Sequence, residues 1–123
     1  MKLNLLTIAF IVTGIIHVLP VIGVLGSGRI KTLYDLHVTD PSLLLLLKHR
    51  AILFGVIGII MFAAIINSAY QGLAIGLGTL SMVTFIGFVY STSGINPSLV
   101  KIAWVDVFAL VLLWVAVIRD QLF

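Results

Sequence analysis

The chain has 123 residues, 62% of them hydrophobic and 9% charged, with a mean hydropathy of +1.31 and a formal net charge of +3. Soluble domains carry roughly 45–50% apolar and about 25% charged residues. A fold this short buries too small a fraction of its surface to hide so much hydrocarbon inside itself, so lipid must be the solvent for much of it. Cysteine is absent, which excludes disulfides, thiolate metal sites and cysteine nucleophiles. Glutamate is absent too, leaving Asp35, Asp40, Asp106 and Asp120 as the side-chain carboxylates. The seven Lys and Arg are scattered. No basic run or interleaved aromatic platform points to nucleic acid, and in a membrane protein such an excess serves topology.

A spanning helix needs about 20 mainly apolar residues. Residues 3–25, 41–67, 70–91 and 97–119 each meet that requirement, which predicts one all-α transmembrane domain over residues 1–123. The first stretch follows Lys2 without a small-residue cleavage site and reads as a retained helix, not a signal peptide. Gly23, Gly26, Ser27 and Gly28 loosen its end. Between Ser27 and Asp40, Ile30, Leu33 and Leu36 sit at helical spacing opposite Arg29, Lys31 and Asp35. That is the pattern of a short interfacial helix, with a solvated loop as the alternative.

Asp40-Pro41 opens the second span and Asn96-Pro97 the fourth. Asp and Asn are favoured N-caps, and Pro suits the first helical position because its missing N–H has no partner there. Both spans therefore start on the same side. Asn67-Ser68 and Gln71-Gly72 make a tight turn between the second and third spans, and residues 91–97 separate the third from the fourth. Ala51, Gly55 and Gly58 on the second span, and Gly72-x-x-x-Gly76 on the third, permit close helix approach.

Counting from the caps places a polar layer. Arg50 lies ten residues after Asp40, and Asp106 ten after Asn96, so both sit about 15 Å along their helices. Facing lipid, each would cost roughly 2.5–3.5 kcal/mol; the expectation is an Arg50–Asp106 ion pair. His17 lies nine residues before Gly26, at about 13 Å, with Thr13 on the same face. On the third span Ser81, Thr84, Phe88 and Ser91 form a stripe, with Thr84 at the depth of Asp106. His49 adjoins Arg50 but lies about 100° around the helix, so the two cannot both point inward. Lys48 and Lys101 are shallow enough to snorkel. Tyr34 and Tyr90 suit an interfacial belt, Trp114 the headgroups of the other face, and Trp104 could line the pocket.

The layer of His17, His49, Arg50, Thr84, Trp104 and Asp106 supports more than one reading. Intramembrane ionisable groups are costly to keep and so mark functional sites. Arg50 with a histidine could hold an anionic or carbonyl head group, while Trp104, Phe54 and Phe108 cover an apolar tail such as that of a quinone, fatty acid or isoprenoid lipid. Asp106 and His17 could instead exchange a proton in a small transporter. Small multidrug transporters have a similar size and helix count, but their essential residue is a Glu on the first helix, where this chain has His17. The structural alternative is a buried pair that fixes helix rotation. Two histidines alone are weak grounds for haem, and nothing around Ser81, His17 and Asp106 marks a nucleophile. No cofactor is implied, and the reading leans away from an enzyme. Membrane lipids, a small lipophilic or anionic ligand, and a second copy of the chain are the partners considered.

His17-Val-Leu-Pro20, Leu33-Tyr34, Asp40-Pro41 and residues 47–55, which include His49-Arg50-Ala51, together with Asp106, carry a resemblance. The chain resembles a family of small four-helix bacterial inner-membrane proteins of unknown function with a DoxX-like layout. Members of that family are often mislabelled phosphopantetheine adenylyltransferase; that enzyme carries a His-x-Gly-His phosphate site, and no such motif occurs here. The resemblance implies a multi-pass protein of the inner membrane and draws attention to His17, His49, Arg50 and Asp106. The positive-inside rule, counting Arg29, Lys31 and Lys101 against Lys2 and Arg119, favours both termini outside the cytoplasm.

Overall fold

A computed structural model describes residues 3–122; Lys2, counted above for orientation, lies outside them. The chain is all-α, with no strand among the described residues. Helix α1 covers Leu5–Val18, α2 Ser27–Tyr34, α3 Pro41–Ile66, α4 Gln71–Ser91 and α5 Pro97–Leu122. Four segments, Leu5–Leu25, Pro41–Ile66, Ser68–Ser91 and Pro97–Gln121, are long and apolar enough to cross a membrane.

Each boundary has a local cause. Asn4 caps α1 by accepting from the Thr7 N–H at 2.8 Å. Asp40 caps α3 through the Ser42 N–H at 2.9 Å, and Asn96 caps α5 through the Leu99 N–H at 3.0 Å. The first span is not one continuous α-helix. It tightens after Val18 into a 3₁₀ segment, Leu19–Leu25. Pro20 supplies the reason: it has no N–H to return to the carbonyl four residues back, and its ring crowds the preceding turn. At about 2.0 Å per residue a 3₁₀ segment also reaches farther than the same length of α-helix. The chain then turns at Gly26, whose φ of +129° favours glycine.

The four spans form a ring in which α1 packs on α3 and α5, and α4 packs on the same two. Ring neighbours are antiparallel, as the short connections require. Hydrocarbon outside the bundle is as apolar as the side chains within it, so close packing rather than hydrophobicity must hold the helices together. Gly58 provides it, because a Cβ there would lie 3.0 Å from the Gly14 carbonyl oxygen and would strike Val18. The close approach expected at Gly72-x-x-x-Gly76 is corrected: a Cβ at either glycine would meet no other helix within 4 Å. Met61, Met82 and Leu113 fill the centre of the bundle.

The segment between the first two spans is a helix, not a plain loop. Ile30 and Tyr34 of α2 are buried with Val38 in a small cluster of their own, while Arg29, Lys31 and Asp35 are exposed. An exposed Lys31–Asp35 pair at 3.2 Å closes its last turn. The Asn96 side chain ties this helix to α5 by donating to the Tyr34 carbonyl at 2.8 Å. Helix α2 thereby covers one end of the bundle.

Candidate binding site

Under α2 lies a partly open cavity of about 240 Å³. Its polar lining comes from His17 of α1, Tyr34 of α2, Arg50 of α3, Ser81 of α4 and Asp106 of α5; Pro20, Phe54 and Phe85 are among its apolar walls. Every helix therefore contributes a polar group to one space.

Phe54 stands one turn beyond Arg50 on α3, and that i, i+4 spacing brings the two side chains together. The guanidinium lies 4.4 Å from the Phe54 ring centroid, 5.6 Å from Phe85 and 5.8 Å from Tyr34. Three aromatic rings surround one cation. Each such contact contributes about 0.5–2 kcal/mol depending on desolvation. The Arg50 Nη1 also donates to the Tyr34 hydroxyl at 3.3 Å. These contacts hold a charge inside the bundle without neutralising it.

His17 is buried and has two partners. Its Nδ1 lies 2.8 Å from the Thr13 carbonyl oxygen, and its Nε2 lies 3.0 Å from Ser81 Oγ. A carbonyl only accepts, so Nδ1 carries a proton; in the neutral ring Nε2 accepts from the Ser81 hydroxyl. The bond joins α1 to α4 across the bundle. The third partner of a hydrolytic triad is not assembled, because the imidazole is oriented by a backbone carbonyl and not by Asp106.

Asp106 is 8% exposed and opens onto the cavity. Among the described residues its carboxylate makes no hydrogen bond and no ion pair. The predicted Arg50–Asp106 pair is therefore corrected. Both residues reach one layer, but no nitrogen of Arg50 comes within 4.0 Å of an Asp106 oxygen. The aromatic rings and the Tyr34 hydroxyl hold the guanidinium, and Arg50 and Asp106 both border the cavity.

The other predicted positions divide. His49 is exposed on the outer face of α3, as the 100° offset requires, so it does not join His17. Thr84 is exposed, and its hydroxyl donates back to the Leu80 carbonyl at 2.7 Å. That bond satisfies it within its own helix and removes it from the layer. Trp104 is 63% exposed, against Tyr90 and Val100, and lies outside the cavity. Phe108 is also 63% exposed; Phe54 and Phe85 form the apolar wall instead. Tyr34, expected in an interfacial belt, is buried and lines the cavity. Tyr90 is exposed, and Trp114 is 40% exposed with its indole N–H on Thr79 at 3.0 Å.

Two lining residues had a readable signal. Ile30, Leu33 and Tyr34 follow the i, i+3, i+4 pattern of a buried helix face, which would have placed Tyr34 inward. Phe85 lies one turn after Ser81, on the same face.

The fold and the cavity define a class: a four-helix, multi-pass membrane protein with a cavity near one end that every span and α2 help to line. No protein-family model matches the chain, and no curated protein or solved structure is significantly similar to it.

Proposed function

We propose that this is a multi-pass protein of a bacterial inner membrane that binds a small lipophilic or anionic molecule in its interior chamber. One observation carries the reading. Arg50 turns its guanidinium into the cavity, where rings surround it and no carboxylate closes on it. A cation so placed keeps donors available for a ligand oxygen, and an intramembrane charge without a carboxylate partner is a functional candidate by default.

Native mass spectrometry of gently extracted protein tests the proposal. The wild-type chain should carry a bound mass that Arg50→Leu loses. Identical bare masses for the two proteins would overturn it.

Proton-coupled transport is the second reading, favoured by a specific feature: His17 and the unpartnered Asp106 line the same chamber. An Asp106→Asn protein that keeps its ligand but loses pH-dependent uptake into vesicles would select transport. A structural role is selected if neither ligand nor flux depends on these residues.

A further inference from the structure

The cavity is small. Its volume of about 240 Å³ falls below the roughly 300–1,000 Å³ of sites that enclose a whole drug-sized ligand. A second depression of about 320 Å³ lies between α3 and α4, lined by Leu53, Ile57, Leu77, Leu80, Thr84 and Phe88. Leu53, Leu80 and Phe88 are 51%, 61% and 71% exposed, on a face that lipid chains would bathe. Arg50, Phe54, Ser81 and Phe85 line both spaces. These four side chains thus form a wall common to the cavity that Asp106 lines and to a groove that carries Leu53, Ile57, Leu77, Leu80 and Phe88.

His17, Tyr34 and Asp106 line only the first space, and Leu53, Leu77, Leu80 and Phe88 only the second. In the cavity Arg50 has guanidinium N–H groups beyond the one on Tyr34, and Asp106 has oxygens that pair with no described cation. The cavity therefore matches a compact head that carries an acceptor for Arg50 and a donor for Asp106. In the groove, Thr84 spends its hydroxyl on Leu80 of its own helix, and Leu53, Ile57, Leu77, Leu80 and Phe88 give an apolar stretch beyond Arg50 and Ser81.

We propose that the ligand is a single-chain amphiphile that enters sideways from the bilayer. Its compact head sits between Arg50 and Asp106, and its hydrocarbon chain lies in the α3–α4 groove. Phe54 and Phe85, flat side chains with two rotatable bonds each, form the doorway. The inference rests on the ligand-binding reading above and adds the class of ligand and its route.

A photoreactive tetradecanamide with a mid-chain diazirine, added to the full chain in phosphatidylcholine vesicles, tests it. Its head carries the required carbonyl oxygen and N–H. The expected result is saturable labelling of α3 and α4 at residues 53, 77, 80 and 84, displaced by unlabelled tetradecanamide. Leu80→Trp, which fills the groove from its lipid side, should lower that labelling by about tenfold, a loss of about 1.4 kcal/mol. Unsaturable labelling spread over all lipid-facing positions would overturn the proposal, as would equal labelling of Leu80→Trp. Hexanamide, a head with almost no chain, separates the two levels. If it binds by native mass spectrometry in an Arg50-dependent way while the long amide labels without saturation, the groove proposal fails and the ligand-binding reading stands. If neither amide binds, both fail.

Discussion

The Asn96 side-chain nitrogen lies 2.8 Å from the carbonyl oxygen of Tyr34, so one residue both caps α5 and holds α2 over the cavity. The two duties use different atoms. Asn96→Asp keeps an oxygen for the Leu99 N–H but loses the donor to Tyr34. Hydrogen exchange should therefore accelerate across residues 27–34 by about two- to tenfold, from a bond of about 0.5–1.5 kcal/mol, while the first turn of α5 keeps its protection. Asn96→Ala should release both segments, since a lost cap costs about 0.5–2 kcal/mol.

The His17–Ser81 bond should show its worth in the same way. Hydrogen bonds between membrane helices average about 0.6 kcal/mol and reach about 1.7 kcal/mol. Ser81→Ala leaves the His17 Nε2 without its partner, so the upper end of that range is expected. Reversible unfolding in mixed micelles measures it; an unchanged midpoint would place the bond outside the folded ensemble.

Two glycines should respond in opposite ways. Gly58→Ala forces a methyl group toward Val18 and the Gly14 carbonyl, and overpacking of this kind costs about 1–3 kcal/mol. Gly76→Ala meets nothing within 4 Å and should change stability by no more than about 0.5 kcal/mol. The same unfolding assay compares them.

Spans and caps were legible because their causes are local. Twenty apolar residues must cross the bilayer, and Asp40-Pro41 and Asn96-Pro97 state where two helices begin. Depth was legible as well, since it is a count from those caps. Rotation was not. Inside a membrane both the lipid face and the core face of a helix are apolar, so periodicity does not tell Trp104 from Leu113, although the first is exposed and the second fully buried. Thr84 misled for a related reason: a hydroxyl that bonds to its own helix can face hydrocarbon. The resting place of Arg50 was hidden because the rings around it, Tyr34, Phe54 and Phe85, come from three different helices.

Rotation also sets which substitutions should leave binding untouched. Trp104→Phe and His49→Ala alter exposed outer positions, so the mass bound to the gently extracted protein should persist in both. Arg50→Lys should lose it, because an ammonium offers neither a planar fork nor the same stacking on Phe54. Retention in Arg50→Lys together with loss in Trp104→Phe would move the site to the outer face of α5.

The relation of Arg50 to Asp106 is open to direct measurement in a bilayer. The chain contains three Arg and four Asp, and no Arg lies within ion-pair distance of an Asp among the described residues. Rotational-echo solid-state NMR on protein with ¹⁵N-labelled arginine guanidinium and ¹³C-labelled aspartate carboxyl carbons reads the shortest separation between the two sets. A cavity that holds the charges apart predicts no dephasing from nitrogens in direct contact with a carboxylate. Strong dephasing that disappears in Asp106→Asn would mean a closed pair and would contradict the chamber.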